Sequence, residues 1–101
     1  MQLQNYQQTF VNFIAFIRSN YSPALPVFLA CGPMATSTTC SYVQNVVKTE
    51  ISGQRPTYYI DMMNIETGPG FIGCNGHPNT RAHAKMAERA IPVLQKVLGW
   101  K

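Results

Sequence analysis

Two short apolar runs separated by one helix-length segment constrain the fold of this chain most. Pro26–Cys31 is continuously apolar and is closed by Gly32 and Pro33, and Thr57–Met62 is rich in β-branched and aromatic residues. Such runs are typical of strands, and an apolar run without alternation is typical of a strand buried on both faces. Strands on either side of a helix pair in parallel, through a right-handed crossover.

Three segments with helical periodicity surround these strands. The predicted helices are Gln4–Asn20, a second helix that ends at about Ile51, and Asn79–Leu98, which gives the order α-β-α-β-α. The expected N-cap of the second helix is one of the residues Thr36 to Thr39, and that of the last helix is Asn79 or Thr80. The 101 residues make at most one domain, which we take as 1–101. We therefore expect an α/β fold with part of a doubly wound (flavodoxin-like) parallel sheet. Two parallel strands leave open edges, so the fold is expected to be incomplete on its own.

The predicted helices carry apolar stripes that are expected to be buried. In the second helix either Glu50 or Ile51 completes the inward-facing pattern, and Gly53 is the expected residue after its end. The stripe of the first helix consists of Tyr6, Phe10, Phe13, Ile14 and Ile17, widened by Val11 and Phe16. The stripe of the last helix consists of Ala84, Ala87, Ile91, Leu94 and Leu98, with Ala90 and Val97 beside it.

The low charge of the chain suggests a secreted protein or a chain that buries much of itself against a missing partner, and the charge and hydropathy patterns bear on other partners. Charged residues make up 12%, about half of the usual 25% or so. The basic stripe Arg81, Lys85 and Arg89 on the last helix is interpreted as a solvated face, and no nucleic-acid partner is predicted. No membrane span is predicted, because no apolar run approaches about 18 residues. The opening residues lack the positive charge of a signal peptide, so secretion would require an upstream signal, and the compartment stays open.

The three cysteines, Cys31, Cys40 and Cys74, match no zinc-binding spacing. One disulfide with one thiol and three free thiols both remain open, and Cys40–Cys74 is the pairing we expect, since both lie at the same edge of the predicted sheet. No metal and no cofactor are predicted. His77 and His83 are not spaced to share one helix face as metal ligands.

The segment Gly73–Asn79 puts His77 in a tight loop between the second strand and the last helix. The whole loop, Met63–Pro78, is long for a compact domain, and long loops are usually functional or mobile. Binding and catalytic groups concentrate on such loops, and a histidine carries protons near neutral pH. A surface or capping role for His77 stays open on these grounds. Asp61, at the end of the strand, is typical of a turn residue.

The same segment carries a resemblance to a known family. Gly73–Asn79, followed by His83, Met86 and Ala87 in the pattern His-x-x-Met-Ala, resembles the C-terminal end of SGNH (GDSL-type) hydrolases, above all the carbohydrate acetyl esterases. Val27–Met34 resembles the penultimate core strand of that family with its loop. The resemblance covers most of the chain. It implies a C-terminal portion of a serine ester hydrolase, with His77 as the general base and Asn75 at the position of the orienting acid.

Two departures from the family pattern matter. The Gly-Asp-Ser segment that would carry the nucleophile is absent, and none of the serines has its context. Asn75 replaces an acid, and its carbonyl can orient an imidazole without supplying a full charge. We therefore expect a C-terminal segment of an esterase that acts on acylated small molecules or carbohydrates, without its own nucleophile, to be completed by a missing N-terminal half or a second copy. The alternative is a truncated, non-catalytic α/β module that self-associates or binds a partner.

Overall fold

The computed structural model describes residues 2–63, 65 and 68–101. The two strands form a two-stranded parallel sheet that is not closed, and the helices and strands alternate in the predicted order. The predicted partial α/β fold is thereby confirmed. Of the predicted loop, Asn64, Glu66 and Thr67 lie outside the described residues, as does Met1. The elements are α1 (Gln2–Asn20), β1 (Val27–Cys31), α2 (Ser37–Ser52), β2 (Thr57–Asp61), a short 3₁₀ helix (Cys74–Gly76) and α3 (Thr80–Leu98).

The chain divides into two compact units. The first consists of residues 1–30 and 36–59, and the second of residues 31–35 and 60–101. Among the described residues, no helix is long and apolar enough to cross a membrane.

In the first unit α1 packs on α2. Thr36 caps α2 as expected, because its side chain accepts a hydrogen bond from the Thr39 N–H. Phe28 of β1 stacks on Tyr58 of β2, with ring centroids 5.3 Å apart. The side chains buried between these elements include Ile14 of α1, Leu29 of β1, and Cys40, Val43, Val46 and Val47 of α2.

A charged cluster lies inside this apolar packing. Glu50 is 1% exposed and is the inward-facing residue of α2, whereas Ile51 is 57% exposed. The Glu50 carboxylate accepts hydrogen bonds from Arg18 at 2.6 Å and from Arg55 at 2.9 Å. Arg18 also donates to the Thr57 hydroxyl at 2.9 Å. Burial of Glu50 is therefore tolerated because its charge is paired and hydrogen-bonded.

The end of α2 explains how Arg55 reaches this cluster. A Cβ on Gly53 would meet the guanidinium of Arg55, so glycine leaves the space for that side chain. Gly53 caps the helix as expected but at φ −85°, and the left-handed residue is Gln54. The hydrogen bond from Arg55 to Glu50 raises the pKa of the Arg55 guanidinium above its ordinary value.

The expectation that the whole apolar stripe of α1 is buried is wrong. Ile14 is buried, but Tyr6, Phe13 and Phe16 are exposed, the two phenylalanines to 58% and 64%. Within its unit α1 has α2 as its packing partner, and α2 covers one side of a stripe that is wider than one helix contact. The aromatic side of α1 therefore faces solvent in this chain.

The second unit contains α3, and its predicted buried stripe is also wrong in part. Ala84, Ala87 and Ile91 are exposed, and Leu94 and Leu98 are half-buried. The helix has a second apolar side, next to the predicted one, and the covered residues lie mainly on that second side. Pro92 is exposed, and the helix continues through it to Gly99, which has φ 70°. The covered residues are the buried Ala82 and the half-buried Met86, Ala90, Val93, Leu94, Val97 and Leu98. The prediction therefore holds for Leu94 and Leu98, and for Ala90 and Val97 beside the stripe.

The cysteine pairing differs from the prediction. Cys31 and Cys40 are the disulfide-bonded cysteines, and Cys74 is an exposed free thiol. Cys31 ends β1 and Cys40 lies in the first turn of α2, so the short loop between them brings the two cysteines within reach. Cys74 lies in the 3₁₀ turn, exposed to solvent, and the expected Cys40–Cys74 bridge is wrong.

Candidate active site

The segment around His77 is a small hairpin rather than an unstructured loop. Ile72 and Pro78 form an antiparallel bridge. The Gly73 N–H donates to the His77 carbonyl at 2.7 Å, and the Asn79 N–H donates to the Phe71 carbonyl at 2.9 Å. We call residues 71–79 the His77 hairpin.

The tip of the His77 hairpin is an Asn-Gly turn. Asn75 has φ 60° and ψ 30°, Gly76 has φ 75°, and the His77 N–H donates to the Cys74 carbonyl at 3.1 Å. Positive φ at both central residues is the geometry of type I′ turns, which favour Asn-Gly because both residues tolerate the left-handed region. The Asn-Gly dipeptide is therefore the sequence signal of this hairpin, and the predicted loop is in fact an ordered turn between two paired segments.

Asn79 joins the His77 hairpin to α3. Its side-chain oxygen accepts hydrogen bonds from the N–H groups of Arg81 and Ala82, at 3.0 and 3.1 Å, which confirms it as the N-cap. Its side-chain nitrogen donates to the Gly70 carbonyl at 3.0 Å. The Arg81 guanidinium lies over the Phe71 ring, 4.7 Å from its centroid. Residues on both sides of the hairpin are thus tied to the first turn of α3.

The His77 side chain itself is exposed, on extended backbone with φ −81° and ψ 153°. Within the described ranges no hydrogen bond joins the side chains of His77 and Asn75, and Asn75 is exposed as well. The imidazole is therefore accessible to a group that approaches from solvent. The roles of His77 as general base and of Asn75 as orienting group remain predictions.

The other candidate residues are involved in local structure. His83 is exposed, and its N–H donates to the Asn79 carbonyl in the first turn of α3. Asp61 is a turn residue, as expected, because its carboxylate accepts a hydrogen bond from the Met63 N–H at 2.8 Å. Ser19 and Ser41 donate to carbonyls of their own helices. Across the described residues, no three His, Cys, Asp or Glu side chains are grouped as metal ligands would be.

Arg89 is a residue whose contact the sequence did not indicate. It was predicted to belong to a solvated basic stripe, but it is half-buried and donates to the Asp61 carbonyl at 2.9 Å. The contact links the middle of α3 to the end of β2. Nothing in the spacing of Arg81, Lys85 and Arg89 distinguishes this arginine from its neighbours on the stripe, so only the tertiary structure identifies it.

Two parallel strands joined through α2, with a further helix before and after them in the chain, define part of an α/β domain. Two solved structures from Clostridium thermocellum are similar to the chain: a family two carbohydrate esterase in complex with cellohexaose, and an active-site mutant of such an esterase, also with cellohexaose. The TM-score is 0.84 for both, at 27% and 30% sequence identity. No family model and no curated protein matches the sequence.

The chain corresponds to one part of these esterases. The similarity covers 98% of this chain but 31% of each esterase chain. The resemblance to carbohydrate esterases that the sequence suggested is thereby confirmed, and a share of about one third is consistent with the expected C-terminal portion.

Proposed function

We propose that this chain is the histidine-bearing C-terminal portion of a serine esterase of the SGNH type, which removes acetyl groups from carbohydrates. The observation that carries the proposal is the exposed imidazole of His77 on a hydrogen-bonded hairpin that directly precedes α3, in a chain that is similar to carbohydrate esterases over 98% of its length. A base on such a hairpin has a defined backbone and an open side chain, which is what approach of a substrate requires.

The proposed chemistry is acyl transfer in two steps. In the first step, His77 takes the proton of a serine hydroxyl while the oxygen attacks the acetyl carbonyl, and then returns that proton to the departing sugar oxygen. In the second step, water takes the place of the sugar, which releases acetate and restores the serine. The serine comes from sequence beyond this chain, because no serine here has the Gly-Asp-Ser context of the family.

Asn75 occupies the position of the orienting acid in this proposal. An amide cannot stabilise an imidazolium with a full charge, and carboxylate-to-amide changes in catalytic triads lower kcat by about 10⁴. Some members of the family work with a serine–histidine pair and a backbone carbonyl. The hairpin supports an arrangement of that kind, because a hydrogen bond between backbone groups, from the Gly73 N–H to the His77 carbonyl at 2.7 Å, fixes the backbone of His77. No side chain is needed for this contact.

The substrate class follows from similarity alone and is part of the proposal. The similar esterases were solved with cellohexaose. We infer that an acetylated oligosaccharide is the substrate of the protein in which this portion is active; the chain spans 31% of the length of the similar esterases.

The test compares this chain with the longer protein encoded with any upstream Gly-Asp-Ser segment. Hydrolysis of p-nitrophenyl acetate and of an acetylated cello-oligosaccharide is measured for both proteins. We expect the buffer rate for this chain alone and His77-dependent hydrolysis for the longer protein. His77→Ala should abolish the excess rate, whereas His83→Ala, a matched exposed histidine, should retain it. Equal rates for the parent and His77→Ala would exclude His77 as the base.

A second candidate function has its own supporting observation. The exposed aromatic side of α1 lines an open groove of about 510 Å³, formed by Asn5, Tyr6, Thr9, Phe10 and Phe13. A non-catalytic module that associates through this surface would form dimers or larger species in sedimentation equilibrium. Phe13→Gln should then shift the equilibrium towards monomers, and Gln44→Ala on the exposed side of α2 should not. A chain that is monomeric at all concentrations contradicts self-association.

A further inference from the structure

We propose that Asn79 is the positioning residue for His77: its amide holds the hairpin that carries the imidazole against the start of α3. The proposal deepens the proposed function and depends on it for its catalytic meaning. The residue acts through the backbone of the hairpin and does not touch the reacting atoms.

The side chain of Asn79 uses its two ends for different purposes. The oxygen accepts from the N–H groups of Arg81 and Ala82, which is an ordinary N-cap. The nitrogen donates to the Gly70 carbonyl at 3.0 Å, nine positions earlier in the chain. Aspartate and serine cap helices about as well as asparagine, and threonine caps them nearly as well, but none of them offers the amide donor. Capping therefore accounts for the side-chain oxygen of Asn79 but not for its amide donor.

The hydrogen bond to Gly70 ties down the segment that enters the hairpin. Asn79 also donates its backbone N–H to the Phe71 carbonyl at 2.9 Å, so one residue contacts both Gly70 and Phe71. Further along, Gly73 donates to the His77 carbonyl at 2.7 Å. We call the two hydrogen bonds from Asn79 to the Gly70 and Phe71 carbonyls the clamp. His77 thus lies between the clamp at the base of the hairpin and the Asn-Gly turn at the tip of the hairpin.

Arg81 is the alternative residue for this role, and it is weaker. Its guanidinium also reaches the Gly70 carbonyl, but at 3.5 Å, the outer limit of a hydrogen bond, and the residue is exposed. Its main contact is the face of Phe71. The shorter bond, from a side chain already fixed by two capping contacts, makes Asn79 the determining residue.

The test separates the cap from the clamp. Asn79→Asp retains an oxygen that caps α3 and removes the donor to Gly70, whereas Asn79→Ala removes both. Amide hydrogen exchange is followed by NMR at the Gly73 N–H in the hairpin and at the Ala82 N–H in α3. In Asn79→Asp we expect exchange at Gly73 to accelerate about 3–10-fold, with exchange at Ala82 unchanged. In Asn79→Ala we expect both to accelerate, and Asn45→Asp, on the exposed side of α2, controls for the added charge.

A Gly73 exchange rate in Asn79→Asp within twofold of the parent overturns the proposal and leaves Asn79 as a cap only. Because exchange needs no substrate, this result is independent of whether the protein hydrolyses esters. In the longer protein that carries the nucleophile, Asn79→Asp should lower kcat about tenfold and leave KM within twofold, as expected for a misplaced base. An unchanged kcat also overturns the positioning role. If the longer parent protein does not hydrolyse the esters, the proposed function is contradicted. The exchange result still tests whether the Asn79 amide holds the hairpin.

Discussion

Arg18 and Glu50 meet at 2.6 Å inside the first unit, with side chains that are 5% and 1% exposed. Removal of one partner of a buried ion pair leaves the other charge without compensation, which costs roughly 3–5 kcal/mol. Glu50→Ala should therefore lower the free energy of unfolding by that amount in urea denaturation. The same carboxylate also pairs with Arg55, whose side chain is 39% exposed.

Arg55→Ala serves as the matched control for this pair. Because the Arg55 side chain is partly exposed, solvent screens its ion pair with Glu50, so the control should lower the stability far less than Glu50→Ala does. If Glu50→Ala and Arg55→Ala lower the free energy of unfolding equally, the buried pair with Arg18 does not determine how much the cluster stabilises the fold.

Gly32 lies where a side chain has no space. Its φ is 107°, and a Cβ there would lie 2.6 Å from the Met62 carbonyl carbon and 2.7 Å from the Met63 nitrogen. Both neighbours are backbone atoms that cannot rotate away, so we expect Gly32→Ala to lower the stability by about 2–3 kcal/mol, as strain at special backbone positions does. Thermal unfolding measures the change.

The control for that substitution is Gly68→Ala. Among the described residues a Cβ on Gly68 would meet no atom within 4 Å, so the melting temperature should stay within a few degrees of the parent's. A tolerated Gly32→Ala would show that the strand ends can separate at little cost.

Asn75 has a left-handed backbone, with φ 60°. Glycine adopts this region freely and asparagine tolerates it, whereas a β-branched residue is strained there by roughly 1–2 kcal/mol. Asn75→Gly should therefore leave stability nearly unchanged, and Asn75→Val should reduce it by that amount in urea titrations. If both variants retain the parent's stability, the turn has another conformation in solution.

The cysteines give a chemical test of the fold. With Cys31 and Cys40 bonded and Cys74 exposed and free, the unfolded, non-reduced protein should titrate one thiol, and three after reduction. In the native protein, iodoacetamide should modify Cys74. A disulfide that closes a short loop contributes about 2–3 kcal/mol, so reduction should lower the stability accordingly. A count of three thiols before reduction would contradict the pairing.

The order of helices and strands was predictable because it depends on local patterns. The breakers Gly32 and Pro33 and the caps Thr36 and Asn79 act within a few residues of their own position. The buried faces were not predictable in the same way. Glu50 and Ile51 both fit the period of α2, and the charged one is inside because Arg18 and Arg55, distant in sequence, neutralise it.

The helix α3 illustrates the same limit. It has two apolar sides, and periodicity cannot tell which of them this chain covers. Ala84 and Ile91 lie on the uncovered side, while Met86 and Val93 lie on the covered side. For the candidate site, the loop histidine was visible in the sequence, but the double contact of Asn79 was not, since nothing in the spacing indicates that its amide reaches Gly70.

The hydrogen bonds of the His77 hairpin are all short in sequence, and the bond between Asn79 and Gly70 spans only nine positions. The two parallel strands, by contrast, are separated in sequence by the whole of α2, so their pairing closes a much longer loop. Since contacts between near neighbours cost little loop-closure entropy, the hairpin and the first turn of α3 should assemble early in folding. The imidazole would then acquire its backbone frame before the sheet exists.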